Sequence, residues 1–168
     1  MPDSNLIENL IKTLQYEYRT YLDIIEIAER KTDCLIKNDT AALNKITEEE
    51  KISAERTTQL NQLREKLLLA YSQETNKEYK HLTIAAIKEQ VEEQYKKPLE
   101  DIHVKLRAVV EKLSFRNDMN RKLLENAIDT INFSIQLIAS PQPAVPLYGR
   151  SGQEVTQNTK RSMLDVKY

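Results

Sequence analysis

The apolar residues of the last third of the chain recur at the period of an amphipathic helix. Their spacing alternates between three and four residues from Leu99 through Ile102, Leu106, Val109 and Leu113, and after Asn120 it resumes with Leu124, Ala127, Ile131, Ile135 and Ile138. At about 1.5 Å per residue the helix would be about 60 Å long, so its apolar side needs other long helices or a partner to cover it. The pattern predicts a long helix at 98–139.

Two earlier stretches show helical spacing and predict a hairpin. The first, at 4–37, follows Asp3, a candidate to cap the helix, and repeats its apolar residues at heptad-like intervals. The second, at 40–71, follows the turn-forming sequence Asn38-Asp39-Thr40. Because the connection is so short, the two helices are expected to lie side by side and antiparallel.

A weaker helix is predicted at 76–96, before the long one. Thr75 and Glu78 have the spacing of a capping box, in which two side chains satisfy free backbone N–H groups at the start of a helix. Pro98 is then expected in the first turn of the long helix, where its missing N–H does no harm. The helical domain would thus comprise residues 1–139.

The composition changes at Ser140. The segment 140–168 contains three of the five prolines and both glycines, so it is predicted to be a flexible tail. The predicted fold is therefore all-α: an elongated antiparallel helical hairpin or coiled coil, a third long helix, and a flexible C-terminal tail. The absence of Trp and an aromatic content of 6% fit a core of Leu, Ile and Ala.

Charge and cysteine content exclude several classes of function. The formal net charge is -1 and the pI is about 6.2, which argues against a nucleic-acid binder because phosphate recognition needs a basic face. No apolar run approaches the roughly 20 residues of a membrane span, so no membrane insertion is expected. A single cysteine, Cys34, and a start without a signal-peptide pattern indicate a cytoplasmic protein.

One set of residues has the spacing of an enzyme site. The Glu-x-x-His pairs of di-iron bundles resemble the arrangement of Glu78 with His81 and Glu100 with His103, with Glu17 and Glu50 on the apolar seams. A structural interpretation is favoured, because Glu78 fits a capping role and Glu100 suits the positive start of a helix. We therefore predict no catalytic residue, no metal and no cofactor, and we interpret Glu17 and Glu50 as paired residues with Arg64 as a candidate partner.

Two asparagines interrupt the apolar stripe of the long helix. An amide in such a stripe needs a hydrogen-bond partner and often fixes the register of packed helices, so Asn117 and Asn120 are candidates for a structural polar role. The alternative is that both face solvent where the stripe changes sides. The sequence leaves both interpretations open.

Three stretches together resemble the FlgN type of flagellar export chaperone. Leu43 to Glu50 is similar to that family's Leu-x-x-Ile-Thr-Glu-Glu pattern, and Asn117-x-x-Asn120-x-x-Leu123-Leu124 is similar to its Asn-x-x-Asn-x-x-Leu-Leu helix. The most specific match is Leu147-Tyr148-Gly149-x-x-Gly152-Gln153, after the Pro-rich link. The order and spacing of the three agree over most of the chain.

The resemblance implies a cytoplasmic, non-enzymatic chaperone of flagellar type III export. Its partners would be the hook-filament junction (hook-associated) proteins and the export gate with its ATPase apparatus. The alternative function is a coiled-coil scaffold or adaptor with a permanent helical partner, and a second copy of the chain is a further candidate partner of the chaperone. We expect Leu147 and Tyr148 to contact the export gate. The expected cargo-binding residues are Leu123, Leu124, Ile128, Ile131, Ile135 and Ile138.

Overall fold

The computed structural model of the chain describes residues 3–76, 82–139, 147–148 and 154–155. Within them the helices are α1 (Ser4–Lys37), α2 (Thr40–Thr75), α3 (Ile84–Lys88) and α4 (Glu93–Ala139). Two short strands follow, β1 (Leu147–Tyr148) and β2 (Glu154–Val155), which pair antiparallel with Leu147 opposite Val155 and Tyr148 opposite Glu154. The predicted all-α fold is confirmed, with this two-residue pairing as an addition that the periodicity did not indicate.

Local capping chemistry sets the boundary between α1 and α2. Asn38 ends α1 in the left-handed conformation (φ 53°, ψ 33°), which Asn tolerates better than most residues, and its N–H bonds back to the carbonyls of Cys34 and Leu35. Asp39 then caps α2 by accepting a 3.0 Å hydrogen bond from the N–H of Ala42. The predicted turn at this position is confirmed.

Ion pairs join α1 to α2 along their length. Arg64 Nη1 lies 2.6 Å from Glu17 Oε2, and Lys31 Nζ lies 2.7 Å from Glu50 Oε2. The later residue on α1, Lys31, pairs with the earlier residue on α2, Glu50, so the two helices run antiparallel. The predicted hairpin is confirmed.

The second helix extends beyond its predicted end at Tyr71. Tyr71 is buried, and the hydroxyl of Thr75 donates a 2.7 Å hydrogen bond to its carbonyl, so the helix continues to Thr75. Asn76 ends it in the left-handed conformation. The expected capping role of Thr75 is therefore wrong, and Glu78 lies outside the described residues.

The predicted helix at 76–96 is wrong in extent. In its place the structure has the five-residue α3, whose start is capped by Thr83 through a 3.1 Å bond from the N–H of Ala86. Residues 89–92 are not helical, yet Ile87 and Val91 are both buried. Burial of these apolar side chains is satisfied by a turn as well as by a helix, so their spacing did not settle the conformation.

The long helix begins at Glu93 and contains Pro98, rather than starting at that proline as predicted. The additional residues make their own contacts. Tyr95 packs against the core, and its hydroxyl donates a 3.3 Å hydrogen bond to Glu8. Lys96 forms an ion pair with Glu93 across one turn. These contacts favour helix before Pro98, whose missing N–H costs one bond near the helix start.

The hydrophobic core lies between α1, the end of α2, α3 and the first part of α4. The helices α1 and α4 run parallel, since Tyr95 contacts Glu8 and Arg116 contacts Glu29, each pair 87 positions apart. The predicted third long helix therefore packs against the hairpin. The core cluster consists of Ile7, Leu10, Ile11, Leu14, Ile25, Tyr71, Ile87, Val91, Leu99, Ile102, Leu106 and Val109.

The chain divides into two compact units, Met1–Leu124 and Glu125–Tyr168. The first contains α1, α2, α3 and the part of α4 up to Leu124, and the second contains the rest of α4 with β1 and β2. The division falls inside α4, whereas the prediction placed the boundary between helical domain and tail after Ala139. Residues 140–146, 149–153 and 156–168 of the predicted tail lie outside the described residues.

Candidate functional site

The last part of α4 exposes a row of isoleucines. We call Ile128, Ile131, Ile135 and Ile138 the isoleucine stripe. Their exposed fractions run from 48% for Ile128 to 73% for Ile138, whereas Ile102 and Val109, earlier on the same helix, are each 5% exposed. Leu124 is 39% exposed and Leu123 is half-buried. Large apolar side chains at this level of exposure, repeated over three turns, are typical of a surface that binds a partner.

The register of α1 explains where the burial of α4 stops. With the observed offset of 87 positions, Lys37, the last residue of α1, is level with Leu124. Up to that level α4 has buried residues, from Leu99 to Asn120, and its Arg116 and Asn120 contact α1. Residues 125–139 of α4 include no buried residue.

Two further large apolar residues in this part of α4 were not among the expected cargo-binding residues. Phe133 is 61% exposed and Leu137 is 62% exposed. At about 100° per residue they lie on the side of the helix opposite the isoleucine stripe. Their separation of four residues, one helical turn, was the available sequence signal. This part of α4 is therefore apolar on two sides.

The two asparagines of the long helix have different surroundings. Asn120 is buried, and its Nδ2 donates a 2.8 Å hydrogen bond to the carbonyl of Ala28 on α1. The hydroxyl of Thr32 lies 2.6 Å from Asn120 Oδ1 and 3.0 Å from the Ala28 carbonyl. Asn117, by contrast, is exposed. The polar contacts of Asn120 join α1 to α4 directly.

Glu17 and Glu50, two of the acids that suggested a metal site, form ion pairs with basic side chains. Glu17 is 1% exposed and pairs with Arg64, the partner that the sequence suggested. Burial nevertheless raises the pKa of the Glu17 carboxyl, because the loss of solvation outweighs the attraction of Arg64. Its Oε1 has no hydrogen-bond partner among the residues that the structure describes. Glu50 pairs with Lys31, as described above.

The Glu-x-x-His pairs give no ligand cluster. Glu100 forms an ion pair with Lys88, which lowers the pKa of its carboxyl, and His103 lies beside it in a shallow open groove on α4. Glu78 and His81 lie outside the described residues. Among the residues that the structure does describe, no group of three or more His, Cys, Asp or Glu side chains is placed to hold a metal ion.

The acidic motif of α2 connects the two helices of the hairpin. Ile46 is buried, while Glu49 forms an ion pair with Arg30 and Glu50 with Lys31 on α1. The pair with Arg30 lowers the pKa of the Glu49 carboxyl. The Ile-Thr-Glu-Glu part of the pattern, residues 46–49, thus supplies one core residue and one ion pair, and Glu50 directly after it supplies a second.

The expected gate residues form β1. Leu147 and Tyr148 pair with Val155 and Glu154 of β2, and the intervening residues 149–153 lie outside the described residues. The most specific of the three sequence motifs therefore covers the first strand of this pair and the connection that follows it. Across the described part of the chain, no helix is long and apolar enough to span a membrane.

An exposed apolar helix surface of this kind is one that proteins use to bind other chains. The chain belongs to the FlgN family, since the family model described as "FlgN protein" matches residues 1–156. This confirms the resemblance of the three motifs and identifies a chaperone of flagellum biogenesis. Searches of curated proteins and of solved structures gave no match.

Proposed function

We propose that the chain is a cytoplasmic export chaperone that binds the amphipathic terminal segment of hook-filament junction proteins. It would prevent their premature assembly and deliver them to the type III export gate. Membership of the FlgN family supports the flagellar role. The binding proposal rests on one observation, the exposure of the isoleucine stripe, which supports the stripe as the cargo-binding surface.

The stripe suits a partner that is amphipathic and disordered before it binds. Burying one isoleucine is worth about 1.5 to 3 kcal/mol, so four give about 6 to 12 kcal/mol before costs. Ordering a disordered segment takes about 2 to 5 kcal/mol of this, and the loss of rotational and translational freedom takes more. The net affinity is expected to be moderate. The chaperone can then release its cargo at the gate without hydrolysing ATP itself.

Calorimetric titration with the terminal segments of candidate hook-filament junction proteins tests this function. We expect one-to-one binding with a negative heat-capacity change, because apolar surface is buried. A chain truncated after Ala139 keeps α4 whole, so it is the matched control and should bind equally well. Failure of every junction segment to bind, with a stable dimer in solution, would contradict the proposal and favour a coiled-coil scaffold.

We propose that Leu147 and Tyr148, in β1, contact the export gate, which rests on the match to the Leu-Tyr-Gly-x-x-Gly-Gln motif. Replacing Tyr148 with Ala should leave cargo affinity unchanged and reduce secretion of junction proteins from cells. Tyr16→Ala is the control, because Tyr16 is an exposed tyrosine on α1. Loss of cargo binding in Tyr148→Ala would contradict this division of roles.

A further inference from the structure

The apolar spacing of α4 is compatible with more than one packing register of α1 along it. Apolar residues continue beyond Leu124 through Ala127 and Ile131, so an α1 shifted by one heptad toward the end of α4 would still meet an apolar surface. Lys37 would then be level with Ile131, and α1 would cover part of the proposed cargo surface. Something other than apolar spacing must select the observed register.

Asn120 distinguishes the two registers. As observed, it is 4% exposed and both ends of its amide are hydrogen bonded, at 2.8 Å to the Ala28 carbonyl and at 2.6 Å to the Thr32 hydroxyl. After a one-heptad shift Ile25 would take the place of Thr32 at this contact, and its side chain has no polar atom. A buried polar group left without a partner costs about 1 to 3 kcal/mol. A single buried Asn is known to fix register in coiled coils in this way.

Ion pairs near this contact favour the same register. Glu29 Oε1 lies 3.3 Å from Arg116 Nη2 and 3.3 Å from Lys112 Nζ. A one-heptad shift would bring Glu29 level with Leu123 and remove both contacts. Since these side chains are partly exposed, the pairs contribute little by themselves. The hydrogen bonds of the buried Asn120 amide are therefore expected to distinguish the two registers more strongly than these ion pairs do.

The geometry points to Asn120 as a positioning residue that, with Thr32 and the Ala28 carbonyl, fixes the register of α1 on α4 and thereby keeps the isoleucine stripe available to cargo. The consequence for cargo rests on the proposed function. The buried Ile87 and Val91 next to α4 also resist a shift, so removing the Asn120 contact should populate a second register rather than replace the first.

Pulsed electron paramagnetic resonance measures the register directly in the full chain. Spin labels at Asp33→Cys and Lys105→Cys, both exposed positions, with Cys34→Ser to remove the native thiol, report the displacement of α1 along α4. The unaltered register should give a single distance. A one-heptad shift moves α1 by about 10 Å and lengthens this distance by about as much. We expect Asn120→Leu to add this longer distance.

Asn117→Leu is the matched control. It is the same substitution one turn away on the same helix, at an exposed position, and should keep the single distance. Thr32→Val, which removes only the hydroxyl partner of Asn120, should also add the longer distance, and Thr32→Ser should restore the single one. If Asn120→Leu fails to fold, the distance measured in Thr32→Val tests the inference in its place. One unchanged distance in the folded variants would overturn the inference.

Cargo titration connects the register to function. If about two thirds of the molecules shift, the affinity of Asn120→Leu for a junction segment falls about threefold, in proportion to the competent fraction. A second distance with unchanged cargo affinity would overturn the proposed role in keeping the stripe available. Absence of cargo binding by the unaltered chain, together with the second distance in Asn120→Leu, would overturn the proposed function while leaving the register role supported.

Discussion

The two parts of α4 share one apolar period but have opposite exposure. Before Leu124, residues such as Leu99 and Leu106 are buried against the rest of the bundle, whereas after it the isoleucine stripe is exposed. The residue types hardly differ, so the difference comes from what lies alongside each part. Apolar spacing therefore marks a helix surface that needs to be covered, and the neighbouring helix decides whether the protein itself covers it.

The polar contacts of the two parts differ in the same way. In the first part, Asn120 is hydrogen bonded to α1, and Arg116 and Lys112 both pair with Glu29. In the second part, Thr130 and Ser134 donate hydrogen bonds to carbonyls one turn earlier in α4 itself. The first part of α4 thus has specific polar contacts with another helix. The hydrogen bonds of Thr130 and Ser134, by contrast, stay within α4.

The largest expected difference between the two parts is in stability. Ile102→Asp would bury a carboxylate without a partner and should lower the free energy of unfolding by more than about 4 kcal/mol. Ile135→Asp, the same change on the exposed part, should alter it by less than about 0.5 kcal/mol. Urea denaturation followed by circular dichroism measures both. Comparable losses would show that the isoleucine stripe belongs to a core.

Cargo affinity should show the reverse order. Ile131→Asp combined with Ile135→Asp removes two anchors, about 3 to 6 kcal/mol, and should weaken binding of a junction segment by about 100-fold or more. The comparison variant is Phe133→Asp with Leu137→Asp, on the opposite side of the helix. If the cargo occupies only the isoleucine stripe, this pair should have a much smaller effect in the same titration. Equal losses would indicate that cargo covers both sides.

The buried ion pair in the first unit should have an intermediate effect. Arg64→Met leaves the carboxylate of Glu17 buried without its partner, and we expect a loss of about 2 to 3 kcal/mol, less than for a fully enclosed pair because Arg64 is partly exposed. Adding Glu17→Gln to Arg64→Met should recover part of this loss. Urea denaturation of the two variants tests the pairing, and no recovery would contradict it.

The same pair predicts a pH dependence. Burial raises the pKa of Glu17 in the folded protein, so protonation is easier there than in the unfolded chain. The stabilisation from this proton is fully present below the unfolded pKa and is lost as the pH rises through the folded value. Relative to Glu17→Gln, the unaltered chain should therefore gain stability as the pH falls from neutral toward the ordinary pKa of Glu. A constant difference across this range would contradict the raised pKa.

The smallest expected effect is at the acidic motif of α2. Glu50→Gln removes the ion pair with Lys31, a partly exposed contact worth about 1 kcal/mol or less and weakened by salt. Glu49→Gln, at the more exposed pair with Arg30, should change stability less. Denaturation at low and high salt separates these electrostatic effects from packing. A large, salt-independent loss in Glu50→Gln would assign that residue a role beyond this pair.

Features with local causes were predictable from the sequence. The turn between α1 and α2 follows from Asn38 and Asp39, whose side chains suit a left-handed residue and a helix cap. The turn therefore depends on a few residues that are close together in the chain. Arg64 was also expected as a partner of Glu17 or Glu50, but the structure pairs it with Glu17, 47 residues away, and gives Glu50 the partner Lys31.

Features that depend on distant contacts were not predictable in the same way. The spacing of Leu82, Ile84, Ile87 and Val91 suggested a longer helix, but the structure buries Ile87 and Val91 around a single helical turn and a bend. Nothing in the sequence indicated Thr32 as a partner of Asn120, because a threonine hydroxyl within a helix commonly bonds its own backbone. Here the hydroxyl of Thr32 lies 3.0 Å from the carbonyl of Ala28 and closer, 2.6 Å, to Asn120 Oδ1, which therefore takes its hydrogen.

The long amphipathic helices, with the bounds of α1, could be predicted from the amino-acid pattern alone, and three motifs indicated the family. The parallel packing of α1 and α4 could not be predicted in this way. Because α1 ends level with Leu124, this register decides which residues of one continuous apolar pattern are buried. The physical reason is that periodicity is a property of neighbouring residues, whereas burial depends on a register between helices about 90 residues apart in the chain.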